Sequence, residues 1–127
     1  MNNKEKKIVL VDDDLLILDL YKKGLFFAGY QVISANDGKD GYEKIEAIKP
    51  DLIITDIVMP WHDGFYLIEK VKKNKELSEI PLIAFSNLDS EDDKKEAMRL
   101  GADMFLLKTT MTPNDLSKKI EEILGEK

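Results

Sequence analysis

Five short apolar runs, each followed by a longer stretch with helical spacing, constrain this chain more than any other feature of its sequence. The runs cover residues 7–11, 31–35, 51–55, 80–85 and 103–107. Between 15 and 28, Leu15, Leu18, Leu25 and Ala28 recur at helical intervals with Ile17, Leu20 and Phe27 alongside. That spacing predicts a helix with a wide buried face, stopped by Gly29. Tyr42, Ile45 and Ile48 predict a second helix, capped by Asp37 in the turn Asn36-Asp37-Gly38 and ending before Pro50. Met59 to Gly64 reads as a loop, and Leu67, Ile68 and Val71 mark the inner face of a third helix over 65–73. Ser90-Glu91-Asp92-Asp93 is an acidic start suited to a helix dipole, and that helix stops at Gly101. Thr112-Pro113 is an N-cap followed by proline at the first helical position, ahead of Leu116, Ile120, Ile123 and Leu124. Five strand–helix units in alternation predict an α/β fold, a parallel sheet with helices on both faces. Uniformly apolar runs suit strands buried on both faces, and Pro81 is tolerable near a strand start.

In such sheets, ligands sit at the carboxyl ends of the strands. The residues expected there are Asp12, Asp13 and Asp14 after the first run, Asp56 after the third, Ser86 after the fourth and Lys108 after the fifth. Adjacent carboxylates repel one another and need a neutralising partner. With no cysteine and one histidine in the chain, clustered carboxylates favour a hard cation such as Mg²⁺. A carboxylate can itself attack phosphorus and form an aspartyl phosphate. Phosphoryl transfer demands positioning and charge neutralisation, which a cation and a lysine supply, while a hydroxyl can donate to a phosphoryl oxygen. Taken singly, each residue has a plainer reading. Asp12 and Asp13 would serve as a helix N-cap cluster, and Asp14 as a cap or a solvated carboxylate. Ser86 would be a strand-end hydroxyl and Lys108 a surface lysine. His62 is expected to hold no metal, and the phenylalanines and Met98 read as core.

Composition narrows the function classes. A chain of 127 residues fits one domain, with an expected core of about 6–125 and no linker to an output domain. Its 43% hydrophobic content suffices for a core. A net charge of −6 argues against nonspecific nucleic-acid binding, which needs basic surface. Lacking cysteine, the chain has no disulfide framework. No apolar run approaches the roughly 20 residues that span a bilayer. The basic opening, residues 1–7, leads into a short apolar run that ends in aspartates and does not read as a signal peptide. The expectation is a cytoplasmic protein with no membrane segment and no direct nucleic-acid contact.

Taken together, Val11-Asp12-Asp13-Asp14, Thr55-Asp56-Ile57-Val58-Met59-Pro60 with Asp63-Gly64, Ser86, and Gly101-Ala102-Asp103 ahead of Lys108 resemble the response-regulator receiver domain of two-component signalling. The resemblance covers essentially the whole chain. It implies a flavodoxin-like, doubly wound (βα)5 fold with strand order 2-1-3-4-5. It implies that Asp56 is the phosphoacceptor, and that Asp12, Asp13, Asp56 and the backbone carbonyl of Val58 bind Mg²⁺ or Mn²⁺. Ser86 matches the switch hydroxyl, Lys108 the lysine that pairs with the phosphoryl group, and Phe105 the aromatic switch position. The implied phosphodonor is a sensor histidine kinase or a histidine phosphotransfer protein. The implied output is altered binding of an unidentified downstream protein around the fourth helix, fifth strand and fifth helix, by a monomer or weak homodimer. Such a domain is a signalling switch and not a turnover enzyme.

The sequence departs from the family pattern in places. Thr109 stands where receivers usually carry proline, often after a cis peptide. A cis bond before a non-proline residue costs about 2.5–4 kcal/mol, so a trans bond is expected. Asn87 replaces a usually small residue and is expected to narrow access to the site. Phe105 lacks the hydroxyl of the tyrosine often found at its position. Val58 and Leu88 are apolar and cannot orient an attacking water, which predicts slow self-dephosphorylation. Trp61-His62 stands where a small residue is common, as a partner contact or a lid. Two other functions compete. Asp12-x-Asp14 after an apolar run also resembles the nucleophile motif of haloacid-dehalogenase-type phosphatases, a reading that leaves Asp56 unused. A receiver that binds partners without being phosphorylated is the third.

Overall fold

The computed structural model describes residues 6–125. The first five residues, part of the opening that does not read as a signal peptide, lie outside the described residues. Strands β1 (Lys7–Val11), β2 (Gln31–Ala35), β3 (Leu52–Thr55), β4 (Leu82–Ser86) and β5 (Met104–Leu107) form one parallel sheet in the order β2-β1-β3-β4-β5. Helices α1 (Leu15–Phe27), α2 (Gly38–Ile48), α3 (Gly64–Lys73), α4 (Glu91–Leu100) and α5 (Pro113–Leu124) alternate with them. This is the flavodoxin-like arrangement and strand order expected from the sequence.

The period-two alternation of a strand divides the core into two layers. Val9, Val11, Ile53, Leu82 and Ala84 face α2, α3 and α4, where Ile45, Leu67, Ile68, Val71 and Ala97 are buried. Ile8, Leu10, Leu52, Ile54, Ile83 and Phe85 face α1 and α5, against Leu18, Tyr21, Leu25, Leu116 and Ile120. Each such aliphatic side chain contributes about 1.5–3 kcal/mol by leaving water. Central strands β3 and β4 are buried throughout, whereas edge strands β2 and β5 are mostly half-buried. Uniform burial of all five strands is therefore corrected, because an edge strand has a neighbour on one side only.

Helix starts follow the capping chemistry. Asp37, Asp63, Ser90 and Thr112 each accept a backbone N–H from the first turn of the following helix. Asp115 answers Thr112 with a reciprocal bond to its backbone N–H, completing a capping box. Gly101 and Gly125 close α4 and α5 in the left-handed region. Boundaries shift by a residue or two where the sequence was ambiguous. Pro81 precedes β4 instead of lying in it, and its carbonyl accepts the N–H of Ile53 at 3.0 Å.

Helix α1 departs furthest from expectation. Leu15, Leu20 and Phe27 point to solvent, and the buried positions are Leu18, Tyr21 and Leu25. With α5 packed on the same sheet face, α1 has room to bury only a narrow stripe. Phe26 and Met98 are likewise exposed and not core. Among the described residues no helix is long and apolar enough to cross a membrane.

Candidate functional site

Strand β1 delivers Asp12 by pairing with both neighbours: the Asp12 N–H donates to the Ala35 carbonyl at 3.0 Å, and the Asp56 N–H donates to the Val11 carbonyl at 2.8 Å. The sheet thus sets Asp12 and Asp56 side by side at its carboxyl edge. After the loop over 57–63 the chain comes back against the Asp56 backbone where α3 begins, and Gly64 permits that close approach. Its N–H donates to the Ile57 carbonyl at 2.9 Å, and a Cβ there would run into the Asp56 backbone carbonyl.

A hollow of about 310 Å³ opens at this edge, lined by Asp12, Asp13, Asp14, Asp56, Val58, Ser86, Asn87, Leu88 and Lys108. The carboxylates of Asp12, Asp13 and Asp56 can bring one oxygen each within 4.8 Å of one another. Asp12 and Asp56 are buried, while Asp13 is exposed at the rim. Lys108, the first residue of a 3-10 turn over Lys108–Thr110, reaches in from the end of β5. Its ammonium bonds to Asp12 Oδ2 and stands 3.1 Å from Asp56 Oδ2. The second oxygens are also engaged: Asp12 Oδ1 accepts the Asp14 N–H at 2.9 Å, and Asp56 Oδ1 accepts the Ile57 N–H at 2.7 Å.

Burial pushes the Asp12 carboxyl above its usual range against the pull of Lys108. Burial also acts to lower the Lys108 ammonium, but the bond to Asp12 and the charges of Asp12 and Asp56 outweigh it and hold Lys108 above its usual range. One cation faces three carboxylates, so the ionised cluster carries an excess of negative charge. Oxygen-only donors, partly buried and negative in sum, are the donor set that a hard divalent cation prefers. The residues present fit Mg²⁺.

Asp14 is the N-cap of α1, with Oδ1 accepting from Leu16 N at 3.0 Å and Ile17 N at 3.3 Å. Ser86 is buried and its Oγ accepts the Leu88 N–H at 3.0 Å. Asn87 lines the hollow beside it. Phe105 is half-buried on β5, packs in the α2–α3–α4 layer, and does not line the hollow. No cis peptide occurs among the described residues, so the Lys108–Thr109 bond is trans. Trp61 is 91% exposed, with φ 70°, beside Asp13 and Leu15. His62 packs on Tyr66 at 4.6 Å between ring centroids, away from the carboxylates.

Sequence reasoning missed Tyr21. Its hydroxyl donates to the Met111 carbonyl at 2.6 Å, and its ring meets Phe85 edge-on at 5.1 Å. Tyr21 therefore ties the segment after Lys108 to α1. A buried tyrosine needs a partner for its hydroxyl, but nothing in the sequence says which.

The sequence model of a family described as the response regulator receiver domain matches residues 8–121. The alkaline phosphatase synthesis transcriptional regulatory protein PhoP of Bacillus subtilis is 34% identical over 94% of the chain and 48% of its own length. The chain spans about half or less of the length of the curated relatives it matches. A CheY-like response regulator receiver domain protein from Methanospirillum hungatei superposes with a TM-score of 0.87 at 35% identity, covering 94% of each chain. The BeF3-activated N-terminal receiver domain of RstA from Klebsiella pneumoniae superposes with a TM-score of 0.86 at 28% identity, covering 94% of this chain and 98% of that one.

Proposed function

The chain belongs to the response regulator receiver family, and from that premise we propose that it is a phosphorylation-dependent switch with Asp56 as phosphoacceptor. The observation that carries this reading is the setting of Asp56. One carboxylate oxygen is fixed by Ile57 N–H, and the other faces Lys108 at the floor of a hollow lined by Asp12 and Asp13.

The phosphoryl group would arrive from a phosphohistidine on a histidine kinase or phosphotransfer protein. An Asp56 oxygen attacks phosphorus, the P–N bond breaks, and the histidine nitrogen leaves with its electron pair and takes up a proton. Asp12, Asp13, Asp56 and the Val58 carbonyl would hold Mg²⁺. When bound, the ion neutralises charge on the carboxylates and on the transferring phosphoryl oxygens. Lys108 is placed to neutralise a further phosphoryl oxygen, and the ion pair with Asp12 keeps its ammonium aimed at Asp56. Ser86, one strand over, now accepts the Leu88 N–H, and its hydroxyl can turn to donate to an oxygen of the new phosphoryl group. That rotation would shift the segment 86–88 and the adjoining α4, β5 and α5 surface, with Phe105 following. The downstream partner is a protein that reads this surface.

The phosphatase reading needs Asp12 as the nucleophile. That reading leaves Asp56 unused, and the family match assigns the chain elsewhere. Mass spectrometry of the protein treated with acetyl phosphate and Mg²⁺ tests the proposal. One phosphoryl adduct is expected on Asp56 and none in Asp56→Ala.

A further inference from the structure

The outward face of α1 has no part in the switch described above. Leu15, Leu16, Leu20, Phe26 and Phe27 are all exposed on it, Leu16 and Phe27 at 83% and 85%, and the two phenylalanine rings meet at 6.0 Å. A single exposed leucine is ordinary. Five large apolar side chains along one helix form a patch of the kind that marks an interaction site.

The order of residues along the helix indicates what fits it. At 3.6 residues per turn, Asp19 and Lys23 lie along the centre of the exposed face. They form an ion pair of 3.1 Å. Leu15 and Phe26 fall to one side of that line, and Leu16, Leu20 and Phe27 to the other. Leucines stand at the amino end, phenylalanines at the carboxyl end, and the acid precedes the base. Turned end for end, the pattern matches itself apart from Leu20. An antiparallel second α1 sets Leu15 against the partner's Phe26, Leu16 against the partner's Phe27, and Asp19 against the partner's Lys23. A two-fold axis repeats each contact, and self-complementarity of this kind is what a two-fold interface requires.

We propose that two copies of this chain associate through antiparallel packing of α1 on α1, with Asp19 and Lys23 as a central four-charge cluster between apolar ends. The surface is distinct from the α4–β5–α5 face invoked for output. One helix pair buries less than the roughly 1,200–2,000 Å² of a stable interface, so the dimer is weak and forms with rising concentration.

Sedimentation equilibrium on the full chain tests this with two charge reversals. Asp19→Lys and Lys23→Asp each place like charges across the axis and are expected to weaken self-association at least about tenfold. An equimolar mixture of the two variants is expected to regain the wild-type affinity, because the introduced lysine of one faces the introduced aspartate of the other. Phe27→Ser, which alters no charge, is expected to weaken association alone and in the mixture. Circular dichroism of each variant should match wild type, since all three side chains are exposed. A wild type that stays monomeric, as it would if the face served only a helical partner of another kind, overturns the proposal. So does a dimer indifferent to the reversals, or a mixture no tighter than its parts.

Discussion

Lys108 Nζ stands 3.1 Å from Asp56 Oδ2 while it also bonds to Asp12, so a single ammonium serves two buried carboxylates. Asp13, at the rim, has its carboxylate near theirs but receives no such partner among the described residues. The cluster is one positive charge against three negative ones, and this imbalance predicts how the protein responds to cations.

Mg²⁺ is expected to stabilise the fold. A ligand bound only by the native state adds about 2.7 kcal/mol at a hundred times its Kd. Urea unfolding with and without Mg²⁺ measures this increment. In Asp13→Asn the stability without Mg²⁺ should stay within about 0.5 kcal/mol of wild type, since Asp13 is exposed. The Mg²⁺ increment should fall by half or more. An undiminished increment in that variant would remove Asp13 from the cation site.

Tyr21→Phe removes the hydroxyl that holds Met111 and leaves the ring against Phe85. The expected loss is about 1 kcal/mol, plus the cost of a carbonyl left without its donor. Urea denaturation reads this directly. Hydrogen exchange should rise in the segment 108–112 more than in β1, because the bond lies between α1 and that segment.

The capping box at α5 gives a pH dependence with a definite sign. Bonds from Thr112 hold the Asp115 carboxyl below its usual range. A carboxyl depressed in the folded state contributes stability that is fully present above its unfolded pKa and lost as pH falls through the lower folded value. Asp115→Asn should therefore narrow the difference in stability between neutral and acidic pH. Equal pH slopes in variant and wild type would show that the box does not titrate with folding.

Val58 and Leu88 flank the hollow with apolar, half-exposed side chains, so neither can orient a water toward a phosphoryl group on Asp56. The phospho-form should be long-lived. Introducing Val58→Asn with Leu88→Glu is expected to shorten its lifetime about tenfold, because positioning alone moves rates by such factors. Decay of the phosphoryl adduct, followed by mass spectrometry over time, measures both proteins.

The strand order and the meeting of Asp12, Asp56 and Lys108 were legible because they rest on backbone periodicity and on strand ends. Asp12, Asp56 and Lys108 lie far apart in the chain, but a parallel sheet leaves them no other edge to share. The exposed side of α1 was not legible. Leu15, Leu20 and Phe27 satisfy helical spacing, and spacing does not report how much of the helix the neighbouring α5 leaves uncovered. Nor was the Tyr21–Met111 bond, which depends on the path of the turn after Lys108, where the usual proline is replaced by Thr109. The capping box escaped notice because Asp115 looks like any exposed acid until its partner is placed.

Whether Asp56 takes the phosphoryl group is read by site-resolved mass spectrometry after acetyl phosphate and Mg²⁺, with borohydride reduction to mark the acyl phosphate. One labelled site is expected, on the peptide holding Asp56, absent in Asp56→Ala and absent without Mg²⁺. Label on Asp12, or no label on a folded protein, would contradict it.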